Sequence, residues 1–135
     1  HQLIKEELNY GMDDFKTYQK FADKVYKIRE NVIKNISNLR NKGEKIIGFG
    51  APAKATTALN FFGISNQIDF IVEDNKLKHK KFIPGVKIPI HSKEKIKDIN
   101  NTMLVLAWNF FDDIKKNNKV LSKNFINIKS LEKDN

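Results

Sequence analysis

Apolar positions along this chain repeat with two different periods, and the change falls at Gly43. From Met12 to about Asn41, the residues Phe15, Tyr18, Phe21, Ala22, Val25, Ile28, Val32, Ile36 and Leu39 recur at three- and four-residue steps. That spacing puts one apolar stripe on a single helix. Asp13 or Asp14 suits its N-cap, and Asn41-Lys42-Gly43 reads as its C-terminal stop. A helix of roughly 28 residues measures about 42 Å. A small domain does not need that length, so part of the stripe is expected to face a neighbour. Leu3, Ile4 and Leu8, ahead of it, also lack an obvious place in a core.

Beyond Gly43 short apolar runs alternate with helical ones. KIIGFG (45–50) predicts a buried strand, and PAKATTALNFFG (52–63) a helix ended by Gly63. IDFIVED (68–74) predicts a second strand, followed by the lysine-rich loop NKLKHKKFIPG. VKIPIHS (86–92) predicts an edge strand, because Pro89 cannot donate to a ladder on its N–H side. SKEKIKDI (92–99) suggests a short helix capped by Ser92, TMLVLAW (102–108) a central strand, FFDDIKKNN (110–118) a helix and NFINIKS (124–130) a last strand. Strands alternating with helices predict an α/β, Rossmann-like fold. It should hold about five mostly parallel strands with helices on both faces, preceded by the one long N-terminal helix. We divide it as a helical segment, 1–43, and an α/β domain, 44–135.

The strand at 45–50 should pair with both 68–74 and 102–108, creating a topological switch point. Ligands of such sheets bind beyond the carboxyl ends of the strands at that point. Three loops converge there: Gly48–Lys54, Glu73–Asn75 and Trp108–Asn109.

Composition narrows the classes. With 135 residues, 40% of them hydrophobic and 30% charged, the chain has the make-up of one soluble globular domain. No apolar run reaches the roughly 18 residues of a membrane span, and the N-terminus lacks a signal-peptide core. A cytoplasmic location is expected. No cysteine is present, which excludes disulfides and thiolate metal sites, and His1, His79 and His91 show no ligand spacing. The net charge of +9 raises the question of nucleic acid, yet only two of the 25 basic residues, Arg29 and Arg40, are arginines. Base-edge readout favours the arginine fork. Lysine spread through a chain with 16 asparagines and 17 isoleucines reflects coding bias more simply than a nucleic-acid footprint.

The turn after the first strand carries the main chemical signal. Gly48 and Gly50 allow close backbone approach, and Pro52 fits the first turn of the helix that follows. The amides of Ala51, Ala53 and Lys54 would then point at an anion, aided by the helix dipole and the Lys54 ammonium. Thr56 or Thr57 adds a hydroxyl. The spacing is neither GxxxxGK[ST] nor a full GxGxxG, since Ala53 stands where the last glycine would fall, so a plain strand–helix turn also accounts for it. Glu73 and Asp74 end the second strand, where an acid can accept from a ribose diol; Asp74-Asn75 is equally a good turn. Phe82-Ile83-Pro84-Gly85 reads as a turn before the edge strand. Trp108 could stack on a base or sugar with Asn109 bonding to it, or simply pack on a helix. No set of catalytic side chains is evident, so the chain reads as a binding module.

GFGAPAKATTALNFFGI, DFIVEDNKLKHKKFIPGVKIPI and LVLAWNFFDDI, in that order, resemble three blocks of one family. It is the C-terminal domain of S-adenosylmethionine-dependent sugar C-methyltransferases. LNYGMDDFKTYQKFADKVYKIRENV likewise resembles the helix that introduces that domain, so the likeness covers about residues 9–130. The resemblance implies a nucleotide-sugar-binding domain of an enzyme that methylates a nucleotide-linked keto-deoxysugar at a carbon beside the keto group. It implies that Gly48, Gly50, Ala51, Pro52, Ala53 and Lys54 hold the diphosphate, with Asp74, Pro84, Gly85, Trp108 and Asn109 lining the same edge. S-adenosylmethionine, zinc and the catalytic base are expected in other domains of a parent protein, with no cofactor bound by this chain and no catalytic residue in it. The expected partners are a nucleotide-diphosphate sugar and the parent's methyl-donor-binding domain, not nucleic acid or membrane. Phe49 replaces the family's usual tyrosine, and Ala55 stands where glycine is common. Two other readings remain: a free-standing Rossmann-like NAD, nucleotide or sensor domain, and a docking domain without a ligand.

Overall fold

The computed structural model describes residues 1–134. Two helices come first, α1 (Gln2–Asn9) and α2 (Phe15–Asn41). Then follow β1 (Ile46–Phe49), α3 (Ala53–Phe62), β2 (Phe70–Val72), β3 (Ile90–His91), β4 (Thr102–Val105), α4 (Phe111–Asn117) and β5 (Asn124–Asn127). The five strands form one sheet in the order β3-β2-β1-β4-β5, and every pairing is parallel. β1 therefore lies between β2 and β4, and the switch point falls where the apolar pattern placed it.

The alternation of side chains along the strands builds two cores. Ile46, Leu104 and Leu106 face α2 and α3, where they meet Val32, Ile36, Ala55 and Leu59. Ile47, Phe49, Met103 and Val105 face the other side and meet Phe111, Ile114 and Phe125. Gly48 is a packing requirement: a Cβ there would lie 2.8 Å from Ile71 Cγ1 and 3.2 Å from Leu106 Cδ1. Only β1 running small at that position lets its neighbours' side chains close over it.

The helical segment differs from the single helix that the stripe suggests. Gly11, at φ +68°, breaks it, and Asp14 caps the new start by accepting from the Lys16 amide at 2.9 Å. α1 buries no residue at all, and the buried residues of α2 are confined to Asn31, Val32, Asn35 and Ile36. The first half of α2 and the whole of α1 thus project from the sheet with their apolar positions in solvent. Phe15 is 76% exposed and Phe21 66%.

Two further expectations shrink. The edge strand is two residues long, because Pro89 instead bridges antiparallel to Phe82 while Ile83 N donates to Ile88 O. The helix expected at 92–99 is a single 3-10 turn, Lys93–Lys95, since five charged side chains in eight residues leave Ile96 alone to anchor it on the sheet. The last strand stops at Asn127, whose side chain caps a 3-10 turn over Ile128–Glu132 by accepting from the Lys129 amide. That turn docks on α2: Asn31 Nδ2 donates to Glu132 O, and Asn35 Nδ2 to Leu131 O and Lys133 O, at 2.9 to 3.1 Å.

Candidate functional site

The carboxyl ends of β1, β4 and β5 open onto a cleft of about 380 Å³ beside the first turn of α3. α3 contributes Lys54, Thr57, Ala58, Phe61 and Phe62; the loop after β4 contributes Trp108; the turn after β5 contributes Ile128, Lys129 and Glu132. Its lining is therefore mostly aromatic and aliphatic, with Lys54, Lys129 and Glu132 as its charged groups. The Lys54 ammonium lies 4.2 Å from the centroid of the Trp108 ring and that of Lys129 6.0 Å. Both fall within cation–π range. Lys129 Nζ is 2.8 Å from Glu132 Oε1. Asn127 Nδ2 donates to Trp108 O at 3.3 Å, which ties the tryptophan loop to β5.

The glycine turn itself is largely satisfied from within. Gly50 takes φ +88° and donates its N–H to Val72 O at 2.9 Å. The Ala51 amide, expected to face a ligand, instead donates to Glu73 Oε2 at 2.8 Å. Glu73 Oε1 accepts from Asn75 N, and Lys78 completes the knot, with its ammonium 3.5 Å from Glu73 and 2.8 Å from Ala51 O. Burial alone would raise the Glu73 carboxyl; the amides of Ala51, Asn75 and Asp74 and the Lys78 charge outweigh it and hold the group below its ordinary value. An internal carboxylate thus takes the place that a phosphate would occupy at Ala51. The amides of Ala53 and Lys54, the first two of α3, have no acceptor among the described residues.

The remaining candidates fall in different places. Trp108 and Lys54 come together as described. Asn109 is exposed on the Trp108–Phe110 turn. Asp74 is exposed on the β2 side and pairs with Lys93 at 2.7 Å. Pro84 and Gly85 dock along α3 through Asn60, whose Nδ2 donates to Pro84 O at 3.0 Å. Gly85 has φ +82°, and a Cβ there would lie 2.2 Å from Asn60 Oδ1, so this turn is a packing joint. Ala58, Phe61, Phe62, Ile128, Lys129 and Glu132 are the cleft residues that sequence reasoning missed. Residues 128–132 were hidden by extending the last strand to 130; stopping it at Asn127 places Lys129 just past a carboxyl strand end, where ligands bind. Among the described residues, no group of three histidine, aspartate or glutamate side chains is placed to hold a metal ion, and no helix is long and apolar enough to cross a membrane.

A parallel sheet with this strand order, an α-helix opening at a glycine turn and a concave, lysine-flanked aromatic cleft at the switch point define a Rossmann-like α/β domain with one principal candidate site. Its family follows from comparison with known proteins. Residues 1–127 match the family model of the C-methyltransferase C-terminal domain, and the chain belongs to that family. A relative is the C-methyltransferase NovU of Streptomyces niveus, 31% identical over 125 residues. The match covers 91% of this chain and 30% of that protein, so the chain spans under a third of the relative's length.

Proposed function

We propose that this chain is the nucleotide-sugar-binding domain of an S-adenosylmethionine-dependent C-methyltransferase, holding the diphosphate of a nucleotide-linked keto-deoxysugar. The observation that carries the reading is the pair of ammonium groups, Lys54 and Lys129, lining a mostly apolar cleft beside the Trp108 ring. A diphosphate brings negative charges to those two lysines and to the open amides of Ala53 and Lys54. A base or deoxysugar ring covers Phe61 and Trp108. Because Glu73 already occupies the Ala51 amide, the diphosphate sits toward α3 and Lys129, not over Gly48 and Gly50.

The donor belongs elsewhere in this reading. S-adenosylmethionine carries a sulfonium cation, and this cleft, with Lys54 and Lys129 against the one carboxylate Glu132, would surround it with net positive charge. Zinc finds no fit either: the chain has no cysteine, and its histidines and carboxylates are not grouped for a metal among the described residues. When bound on another domain of a longer protein, S-adenosylmethionine would supply the methyl group to a deprotonated sugar carbon, and the base that takes the proton is placed there too. This chain's part is to bind and orient. The NAD reading is weakened because both acids at the end of β2 are engaged, Glu73 with backbone amides and Asp74 with Lys93.

Calorimetric titration tests the assignment. A deoxythymidine-diphosphate sugar is expected to bind, Lys54→Ala to weaken it about tenfold, the worth of one charge-assisted contact of roughly 1.5 kcal/mol, and NAD to bind less well. Equal affinity of the variant, or tighter binding of NAD, overturns the reading.

A further inference from the structure

The described surface holds a second cleft, of about 420 Å³, at the carboxyl end of β3 on the opposite edge of the ligand-facing end of the sheet. Its walls are the segment after β2, with His79 and Lys80, and the segment from β3 onward, with His91, Glu94, Lys95 and Lys97. The charge there leans positive, with three lysines against the one carboxylate Glu94. The nearby acids Glu73 and Asp74 are consumed by Lys78 and Lys93. Lys80, Lys95 and Lys97 take part in no ion pair among the described residues, and Glu94 instead accepts from Ser92 Oγ.

The wall that carries these groups is fixed by backbone bonds. Lys80 N donates to Ile90 O at 3.0 Å and Ile90 N to Lys81 O at 2.9 Å, so the segment runs as a short antiparallel rail along β3. Lys80 itself holds φ +60°, a conformation that a non-glycine residue keeps only when its surroundings enforce it. His79 Nε2 lies 2.6 Å from Glu73 O. A carbonyl oxygen only accepts, so Nε2 carries a proton. Burial first, and then the neighbouring Lys95 and His79, hold the His91 imidazole below its ordinary value.

We propose that this cleft is a second anion site, binding a small phosphate-bearing molecule such as a diphosphate between His79 and Lys80 on one wall and His91, Lys95 and Lys97 on the other. It stands apart from the Lys54–Trp108 cleft and does not depend on the function argued for that one. A small anion fits better than a nucleic-acid strand. The cleft is concave, its lining has no phenylalanine, tyrosine or tryptophan on which bases could stack, and no arginine reaches it.

Inorganic pyrophosphate is the probe, titrated into the full chain in buffer with 150 mM salt while the imidazole signals of His79 and His91 are followed by NMR. Saturable movement of both histidines supports the site. So does at least a tenfold weakening in a Lys80→Ala/Lys95→Ala variant whose amide spectrum shows it folded. Lys115→Ala/Lys116→Ala, on α4, serves as the charge-matched control and should bind as the parent does. Three results overturn the proposal: shifts that do not saturate, equal weakening by the α4 control, or an oligouridylate that binds these histidines more tightly than pyrophosphate.

Discussion

Among single residues, the two asparagines of α2 do work that their chemistry alone does not announce. Asn35 is buried and donates to two carbonyls of the C-terminal turn, and Asn31 to a third. Asn35→Ala leaves those carbonyls without their donor in a buried place, at a cost of about 1–3 kcal/mol. A lower urea midpoint with an unchanged m-value is the expected result. Nothing in the sequence marked these positions, because asparagine is abundant throughout the chain and the apolar stripe drew attention to Val32 and Ile36 beside them. Glu73 gives a second prediction. Its carboxyl is held below the ordinary value in the folded chain, so the stabilisation it provides is complete above the unfolded-state value near 4.5 and is lost as pH falls through the folded one. Glu73→Gln keeps an acceptor for Ala51 but has no charge to lose. Thermal denaturation followed from pH 6 to pH 3 should therefore show a shallower decline for the variant than for the parent. The sequence placed an acid at the end of β2 correctly; it could not tell that the nearest amide would claim it.

At the level of elements, hydrophobic period separated helix from strand well and boundaries poorly. Every strand was found, and the pairing of β1 with both β2 and β4 followed from apolar runs too short to be anything but buried parallel strands. Pro89 and the charged 92–99 run have periodicity without enough apolar side chains to hold a regular element on the sheet, and Gly11 breaks a helix that the stripe alone would continue. The same segment supplies a test. Leu8, Phe15 and Phe21 are mostly solvated, and helical residues 1–27 carry five lysines against five carboxylates, so the whole surplus of positive charge lies on the rest of the chain. An apolar, electrically neutral projection suits a protein neighbour better than an anionic one, in keeping with the partner domain proposed above. Replacing Leu8, Phe15 and Phe21 together with serine should change the unfolding free energy measured in urea by no more than about 0.5 kcal/mol per site, the usual range for exposed positions. It should also reduce self-association in sedimentation. A large loss of stability would show that these side chains pack within the chain after all.

Across the whole molecule, the two clefts divide the ligand-facing end of the sheet. One, between β1 and β5, is aromatic and flanked by two lysines and Glu132; the other, beyond β3, is lined by histidines, lysines and one glutamate. The first was half legible. Lys54 and Trp108 could be read from strand ends, whereas Lys129 and Phe61 required knowing where β5 stops and which side of α3 turns toward it. The second was not legible, since residues 75–85 read as a lysine-rich loop of no fixed register and only their backbone bonds along β3 bring His79 and His91 to one cleft. The family match, over residues 1–127, spans the whole of the second cleft and stops short of Ile128, Lys129 and Glu132 in the first.

The clasp between α2 and the final turn joins residues about a hundred positions apart. During synthesis, the early helix emerges long before the carbonyls that will secure it. Until residues 131–133 clear the ribosome, Asn31 and Asn35 have only water to bond, and the groove beneath them stays open. A nascent chain stalled at residue 127 would therefore carry all five strands and still lack the last fastening of its first long helix.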